Sequence, residues 1–423
     1  MPSAMVLLAA ILFVLTYALD RSIDEGTMSL PSWAIGGSPD AARQILIGVS
    51  AAVITVAGVV FSITILALQL ASQQFGPRML RNFIRDIGTQ VSLGAFVATF
   101  VYSVLTLGSV AHGSIDFVPR VSVTLALVLT LGDLGVLIYF INHVATSIQL
   151  TSVVAGIARD FRSTLAELRE EAAGMRPTLD NAEPANEVRA RFEEGGRPVS
   201  AQNSGFLQAV GHDQLVRIAA SSDAVIRLLH RPGHFVVEGQ RLALVWPVDA
   251  VGDVSHALAQ AHIVGSNRTL TQDLGFAVDQ LVEVAIRAIS PAVNDPFTAL
   301  NCVDWLGDCL CRAAADPLPD GIYRDATGSV RLIDKTVTFE QLVKKASDKI
   351  RQAGRGIPAV LIRQIENLRK VAVTLSDPGD RVVIARHAEM ILRASDESVP
   401  EPSDRDDVRA AYDSLMEQQQ VGR

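Results

Sequence analysis

Residues 45–70 (ILIGVSAAVITVAGVVFSITILALQL) carry no charged side chain. As a helix rising ~1.5 Å per residue, such a run outspans the ~30 Å hydrocarbon core of a bilayer. Lipid offers backbone groups no partner, so a segment of this kind spans as a helix. The helix has a second pattern. Gly48, Ala51, Thr55, Gly58, Ser62, Ile65, Gln69, Ser72 and Gly76 recur at alternating spacings of three and four residues, which gathers them on one stripe. Bulky residues cover the remaining surface. Lipid favours that bulky side and leaves the stripe to face protein or water. Two readings stay open: close helix–helix packing through small residues, or a pore or cavity lining with Ile65 as its one bulky apolar member.

Three further apolar runs, at 2–19, 91–110 and 121–141, bring the predicted spans to four. The first has no basic residue before it and no small-x-small cleavage site, which reads as a short transmembrane helix and not a signal peptide. Its abrupt beginning suggests a start codon further upstream. The connection between the second and third spans carries Arg78, Arg81 and Arg85, whereas 20–42 and 111–120 are poor in Lys and Arg. Basic loops stay inside, so both termini are expected in the cytoplasm. Arg78, Arg81 and Arg85 share a face of a short amphipathic helix over 77–87, suited to anionic headgroups or to a cationic rim around an anion path. Asp133 falls mid-span in the fourth helix, with Thr130 one turn away and Ser122 on nearly the same face. A carboxylate at that depth costs roughly 3 kcal/mol on insertion scales, so it needs a partner or water. Its role reads equally as structural or functional.

Nearly all charge lies after residue 150, although the chain as a whole is 49% hydrophobic. The formal net charge of −8 speaks against nucleic acid as a partner. Cys302, Cys309 and Cys311 are odd in number and have no histidine at ligand spacing, which points to reduced cytosolic thiols and against a zinc site. No cofactor motif is present. The fourth helix is expected to continue as a stalk over 149–176, on a seam of Leu150, Val154, Ile157, Phe161 and Leu168. A polar linker follows at 177–203, then a small β-rich domain at 204–250. There, strand-length runs are broken at Arg231-Pro232-Gly233 and Glu238-Gly239-Gln240. Their texture resembles half of the barrel-sandwich hybrids of biotinyl and lipoyl domains, but no lysine sits at a hairpin tip to carry a swinging arm. Residues 251–395 read as helical with one hairpin at 323–337, and 396–423 as a flexible tail with a short helix. A basic face of Lys344, Lys345, Lys349, Arg351 and Arg355 suits solvent, headgroups or an anionic ligand.

The densest polar segment is 265–313. Thr269 with Gln272 has the spacing of a capping box, Glu283 and Arg287 form an i, i+4 pair, and Asp295 before Pro296 reads as the cap of the next helix. Arg268, Asp273, Asn294 and Asp295 suggest a carboxylate–guanidinium constellation, and Asp304 with Asp308 could hold a metal, but no metal site is assigned. Capping and salt bridging account for most of these residues. No nucleophile elbow, phosphate loop or metalloprotease helix accompanies them, so an enzyme is the minority reading. The stretches VFSITILALQLASQQFGPRMLRNFIRDIGTQ and RTLTQDLGFAVDQLVEVAIRAISPAVNDPFTALNCVDWL are similar to the two signatures of an uncharacterised bacterial family of predicted multi-pass membrane proteins, catalogued as a domain of unknown function. The resemblance extends to about residue 395 and implies four spans in a bacterial inner membrane and a cytoplasmic tail, with no activity and no catalytic residue.

The expected architecture is a membrane α-helical domain of four transmembrane helices plus a cytoplasmic α+β region with a small β-domain and helical hairpins. Its function reads first as an oligomeric channel or transport protein with a cytoplasmic regulatory domain. The alternative is a membrane-tethered sensor of a small cytoplasmic ligand, or a scaffold. Expected partners are anionic lipid headgroups and further copies of the chain. Orientation is directly testable. Single cysteines at Ser29 and Ser114 should react with an impermeant thiol reagent in intact cells, and one at Ser329 should not; labelling at 329 reverses the assignment.

Overall fold

The computed structural model describes residues 1–26, 34, 37–75, 86–112, 117–147, 149–175 and 184–421. They form two compact units, Met1–Ser152 and Val153–Arg423.

Among the described residues four helices make the first unit: α1 (Pro2–Asp24), α2 (Pro39–Phe75), α3 (Ile87–His112) and α4 (Arg120–Ser147). All four are long and apolar enough to cross a membrane. Polar ties at the helix ends fix an antiparallel order. The Asp20 carboxylate, near the end of α1, accepts from the Val121 and Ser122 backbone N–H groups (2.8 and 2.9 Å) and from the Ser122 hydroxyl (2.6 Å). At the same end the Arg43 guanidinium donates to the Val110 carbonyl at 3.4 Å. At the opposite end Asp86 accepts from Thr89 N at 2.7 Å and meets His143 Nε2, also at 2.7 Å. Gly88 leaves the space that the His143 ring fills, since a Cβ there would collide with it. Helix α3 packs on all three others. Its fully buried Tyr102 holds the centre, with its hydroxyl 2.9 Å from Thr16 Oγ1 and donating to the Ser122 carbonyl at 3.3 Å.

The second unit combines two small sheets with a helical bundle. The expected uninterrupted fourth helix is replaced by two, because α4 ends at Ser147 and α5 (Leu150–Gly174) opens after it. Helix α5 is a core element of the second unit. Val154, Ile157 and Phe161 are buried as the seam requires, but so are Ala158, Thr164 and Leu165, and Ala172 packs into the strand core. The linker reading of 177–203 also changes. Helix α6 (Ala185–Gly195) and strand β1 (Arg197–Ser200) occupy part of it, anchored by Val188 and Phe192 packed against Val225, Val330 and Ile333. Four residues separate those two anchors, a helical spacing that the surrounding Pro, Gly and charge conceal.

Strands β2 (Gly205–Val210), β3 (Val225–Leu228), β4 (Phe235–Val236), β5 (Arg241–Trp246), β6 (His262–Gly265), β7 (Ile322–Arg324) and β8 (Val330–Ile333) complete the sheets. One has the order β1-β5-β3-β8-β7 and the other β4-β2-β6. Strands β4 and β5 therefore belong to different sheets, so the run 235–246 forms no hairpin of the barrel-sandwich kind. The β7–β8 hairpin turns where the sequence places it, but β8 pairs in parallel with β3 from about a hundred residues away. The strand-rich piece thus extends beyond 204–250. Helices α7 (His212–Ser221) and α8 (Val251–Ala261) flank the strands.

The bundle comprises α9 (Leu274–Ala288), α10 (Pro296–Ala315), α11 (Phe339–Ala353), α12 (Pro358–Thr374), α13 (Pro378–Ser398) and α14 (Pro402–Val421). Asp273, Asp295, Thr338 and Asp377 cap four of these helices with their side chains, and Pro follows the cap in α10 and α13. The expected flexible tail is ordered helix instead. Val408 and Leu415 are fully buried on α14, and Arg409 reaches Asp396 at 3.0 Å. Charge in 396–407 suggested disorder, whereas the anchors seven residues apart bring two turns of α14 onto the bundle.

The Asp20 tie generates a stability test. Asp20→Ala leaves the start of α4 with backbone donors unmet, each buried group costing about 1–3 kcal/mol. The detergent-solubilised variant should melt well below wild type, with a smaller loss for Asp20→Asn, which keeps one acceptor oxygen.

Candidate functional site

On α2 the inward face consists of Leu46, Val49, Val53, Ala57 and Val60, all buried. At 3.6 residues per turn the stripe lies on the opposite side of the helix. Gly48, Ala51, Thr55, Gly58, Ser62, Ile65 and Gln69 are all exposed on the unit's surface, and a Cβ on Gly48 or Gly58 would meet nothing within 4 Å. Ile65 is 50% exposed. The Thr55 and Ser62 hydroxyls donate back to the carbonyls of Ala51 (2.6 Å) and Gly58 (2.9 Å). Helix α2 thus packs within its own unit through a face of Leu46, Val49, Val53, Ala57 and Val60, and the stripe lies on its outward side. Gly76, Arg78, Arg81, Arg85 and the Ser72 side chain fall outside the described residues.

Asp133 points inward. It is buried, hydrogen-bonded to the Thr99 side chain from α3, and its Oδ2 has no partner among the described residues. The two residues that the sequence set beside it are engaged elsewhere. Thr130 donates to the Ala126 carbonyl at 2.7 Å, and Ser122 binds Asp20.

In the second unit the start of α9 is the centre of a charge cluster. Asp273 is buried, caps α9 by accepting from Phe276 N at 3.1 Å, and takes two bonds from Arg268 at 2.9 and 2.7 Å. Arg268 also reaches Asp279 at 2.7 Å and lies over the Phe276 ring at 4.8 Å. Asp279 in turn holds Lys345 at 2.8 and 2.9 Å. Gln272 does not complete a capping box with Thr269. Its amide pairs with the backbone N–H and carbonyl of Val210 at 2.8 and 3.1 Å, extending the edge of β2. Asp273 performs the capping instead, one residue further on.

Arg268, Gln272 and Asp273 therefore stand together, while Asn294 and Asp295 lie past the far end of α9, about 20 Å along its axis. There Asp295 accepts from the Thr298 backbone and hydroxyl, and Asn294 adopts a left-handed φ of 51°. Glu283 and Arg287 lie along α9, each with an interaction of its own. Asp304 binds Arg363 at 2.6 Å and Asn367 at 3.0 Å, and Asp308 faces Arg312 at 3.6 Å, so the two carboxylates serve separate partners.

Close to the Asp273 cluster is a residue that sequence reasoning passed over. His212, fully interior at the first turn of α7, places Nδ1 2.9 Å from Glu171 and Nε2 2.9 Å from Asp334, with its ring stacked on Tyr323 at 4.5 Å. Burial by itself pulls its pKa down, but the bonds to Asp334 and Glu171 outweigh it and lift the imidazole to about 9. It is a charged histidine at neutral pH. The partners stand 41 and 122 residues away in sequence, so no local spacing announces them. Among the described residues no group of three or more His, Cys, Asp or Glu is arranged to hold a metal ion.

A family model described as "predicted membrane protein", a domain of unknown function numbered DUF2254, matches residues 1–370. The chain is 34% identical over 377 residues to uncharacterized proteins of Mycobacterium bovis (Mb1321c) and Mycobacterium tuberculosis H37Rv (Rv1290c), covering 87% of this chain and 71% of each relative. No solved structure matches.

The histidine sets a pH dependence. A folded pKa raised to about 9 from 6.5 means stability that is complete below pH 6.5 and lost as pH climbs through 9. The full effect is on the order of 3 kcal/mol. Thermal unfolding of the second unit's signal should fall between pH 7 and 9.5 in wild type, and His212→Gln should start lower and lack that component.

Proposed function

We propose that this chain, which belongs to the DUF2254 family of predicted membrane proteins, is an oligomeric channel or transport protein of the bacterial inner membrane, regulated by its second unit from the cytoplasm. The outward stripe of α2 carries this reading. Helix association in lipid has no hydrophobic drive, so small residues that let backbones approach are most useful at a contact between helices. Here those residues are not spent within the chain, because Val49, Val53 and Val60 make the internal contact. A second copy is the natural occupant of the stripe. Around a symmetric axis, several copies would bring Gly58, Ser62 and Ile65 to a common centre. Hydroxyls bonded back to their own helix still offer lone pairs to water in such a path. Ile65 would then form an apolar constriction that gates by dewetting. The tethered-sensor reading draws on a different observation, the buried charge cluster of the second unit, and needs no path at all.

Ion flux in reconstituted vesicles separates the two. Ile65→Ser should raise resting leak severalfold over wild type at matched incorporation, and Gly58→Leu should disrupt the oligomer seen by crosslinking. An assembled Ile65→Ser oligomer with unchanged flux removes the gate and favours the sensor.

A further inference from the structure

Beside His212 the second unit has a cavity of about 40 Å³ (space for the centres of water-sized spheres), walled by Arg231, Lys335, His212, Asp334, Tyr323 and Leu274 among others. One water needs ~10–15 Å³ on that measure, so the space suits a few waters or one small ion and not a drug-sized ligand.

Glu171 and Asp334 are occupied by His212, Asp273 by Arg268, and Asp279 by Arg268 and Lys345. Arg231 is half-buried, and its hydrogen bond goes to a neutral acceptor: Nε donates to His234 Nε2 at 3.2 Å. Burial, then the charges of Arg231 and Lys335, hold His234 down at about 4, so that ring is uncharged. Burial also pulls Arg231 below the ordinary arginine range, with Asp273 offsetting it in part and Arg268 opposing. Among the described residues no carboxylate forms an ion pair with Arg231, because Glu171, Asp273, Asp279 and Asp334 are each held by another cation, and Lys335 stands exposed at the rim. Arg231, half-buried at the cavity wall, is thus the charge left without a counter-ion. A buried charge without a counter-charge is costly, and a small anion would remove that cost.

We infer that this cavity is a binding site for a small soluble oxyanion of the size of phosphate, bicarbonate or acetate, held by the Arg231 guanidinium and the Lys335 ammonium. The forked N–H donors of arginine match two oxygens of such an ion, and lysine adds a point charge. Pro232-Gly233 supports the arrangement. Gly233 has φ +91°, and a Cβ on it would run into the Asp273 carboxylate, so the loop that carries Arg231 lies tightly against the α9 cap. Oxyanion binding would neutralise Arg231 and stiffen the join between that loop, α9 and the Asp334 segment. The site stands independently of the channel reading, since it needs neither an oligomer nor a path.

The test uses the full chain in a non-ionic maltoside detergent, with inorganic phosphate as the probe and ionic strength held constant with sodium chloride. A ligand that binds the folded state raises the melting temperature saturably. Wild type should show such a rise, Arg231→Gln should need at least tenfold more phosphate for half the effect, and Lys335→Gln severalfold more. Lys335 is exposed, so its replacement keeps the test informative if Arg231→Gln fails to fold. Equal responses from wild type and both variants, or no saturable response in wild type, overturn the proposal. Protection by short-chain phosphatidylglycerol but not by inorganic phosphate assigns the oxyanion to a lipid headgroup and likewise overturns the soluble ligand.

Discussion

A helix begins with four backbone N–H groups that its own hydrogen bonds cannot reach, and in a membrane those groups have little else to turn to. The first unit depends on how they are met. Asp20 satisfies two of them at α4 from the end of α1, and Asp86 satisfies one at α3 while holding His143 of α4. Each carboxylate also sits at the positive end of a helix dipole, where its charge is favoured. These contacts join helices far apart in sequence and fix which ends lie together. Once α1, α3 and α4 are ordered in this way, α2 has one apolar face that fits α3, and the opposite face is turned out. The outward stripe is thus a consequence of end-capping as much as of its own composition.

The second unit uses the same device. Asp273 caps α9 and simultaneously binds Arg268, which binds Asp279, which binds Lys345 of α11. A chain of charge-assisted bonds therefore links the strand region to the bundle. Buried pairs of this kind contribute little net stability against an apolar alternative, but losing one partner strands the other, which makes the arrangement specific. The requirement for glycine at 233 follows from it, because the strand-turn must pass within contact of the Asp273 carboxylate.

The local elements were legible in the sequence wherever the signal was local. Four apolar spans, the Asp295-Pro296 start of α10 and the 323–337 turn all rest on residues within a few positions of one another. What failed to show were partners brought together by tertiary structure. Asp20 read as the end of a span and not as the cap of α4, a hundred residues on. His212 gave no signal, since Glu171 and Asp334 come from other elements. Gln272 had the spacing of a capping box, yet the edge of β2 competes for its amide and wins. Residues 177–203 and 396–423 read as polar punctuation because the anchors Val188, Phe192, Val408 and Leu415 are sparse among charges, and their burial depends on surfaces that form elsewhere.

The two polar features of the membrane unit differ in one respect that bears on any transport mechanism. The stripe of α2 faces away from the unit, whereas Asp133 of α4 lies inside it against Thr99 of α3. A path built where the stripes of several copies meet would not pass Asp133. A path that used Asp133 would have to run within one copy, between α3 and α4, where Ser92, Thr99, Ser103 and Thr106 are buried and Asp133 Oδ2 has no partner among the described residues. Ser92 and Thr106 spend their hydroxyls on their own helix, at the Gly88 and Tyr102 carbonyls (both 2.8 Å). That leaves Thr99 and Ser103, one turn apart, as the polar lining nearest in sequence register, too short a run to cross the hydrocarbon core by itself. The stripe is the longer continuous feature, extending over six helical turns from Gly48 to Gln69 at 3.6 residues per turn. For the proposed path, length favours α2 over the α3–α4 interior, and Asp133 with Thr99 is then a polar link between α3 and α4.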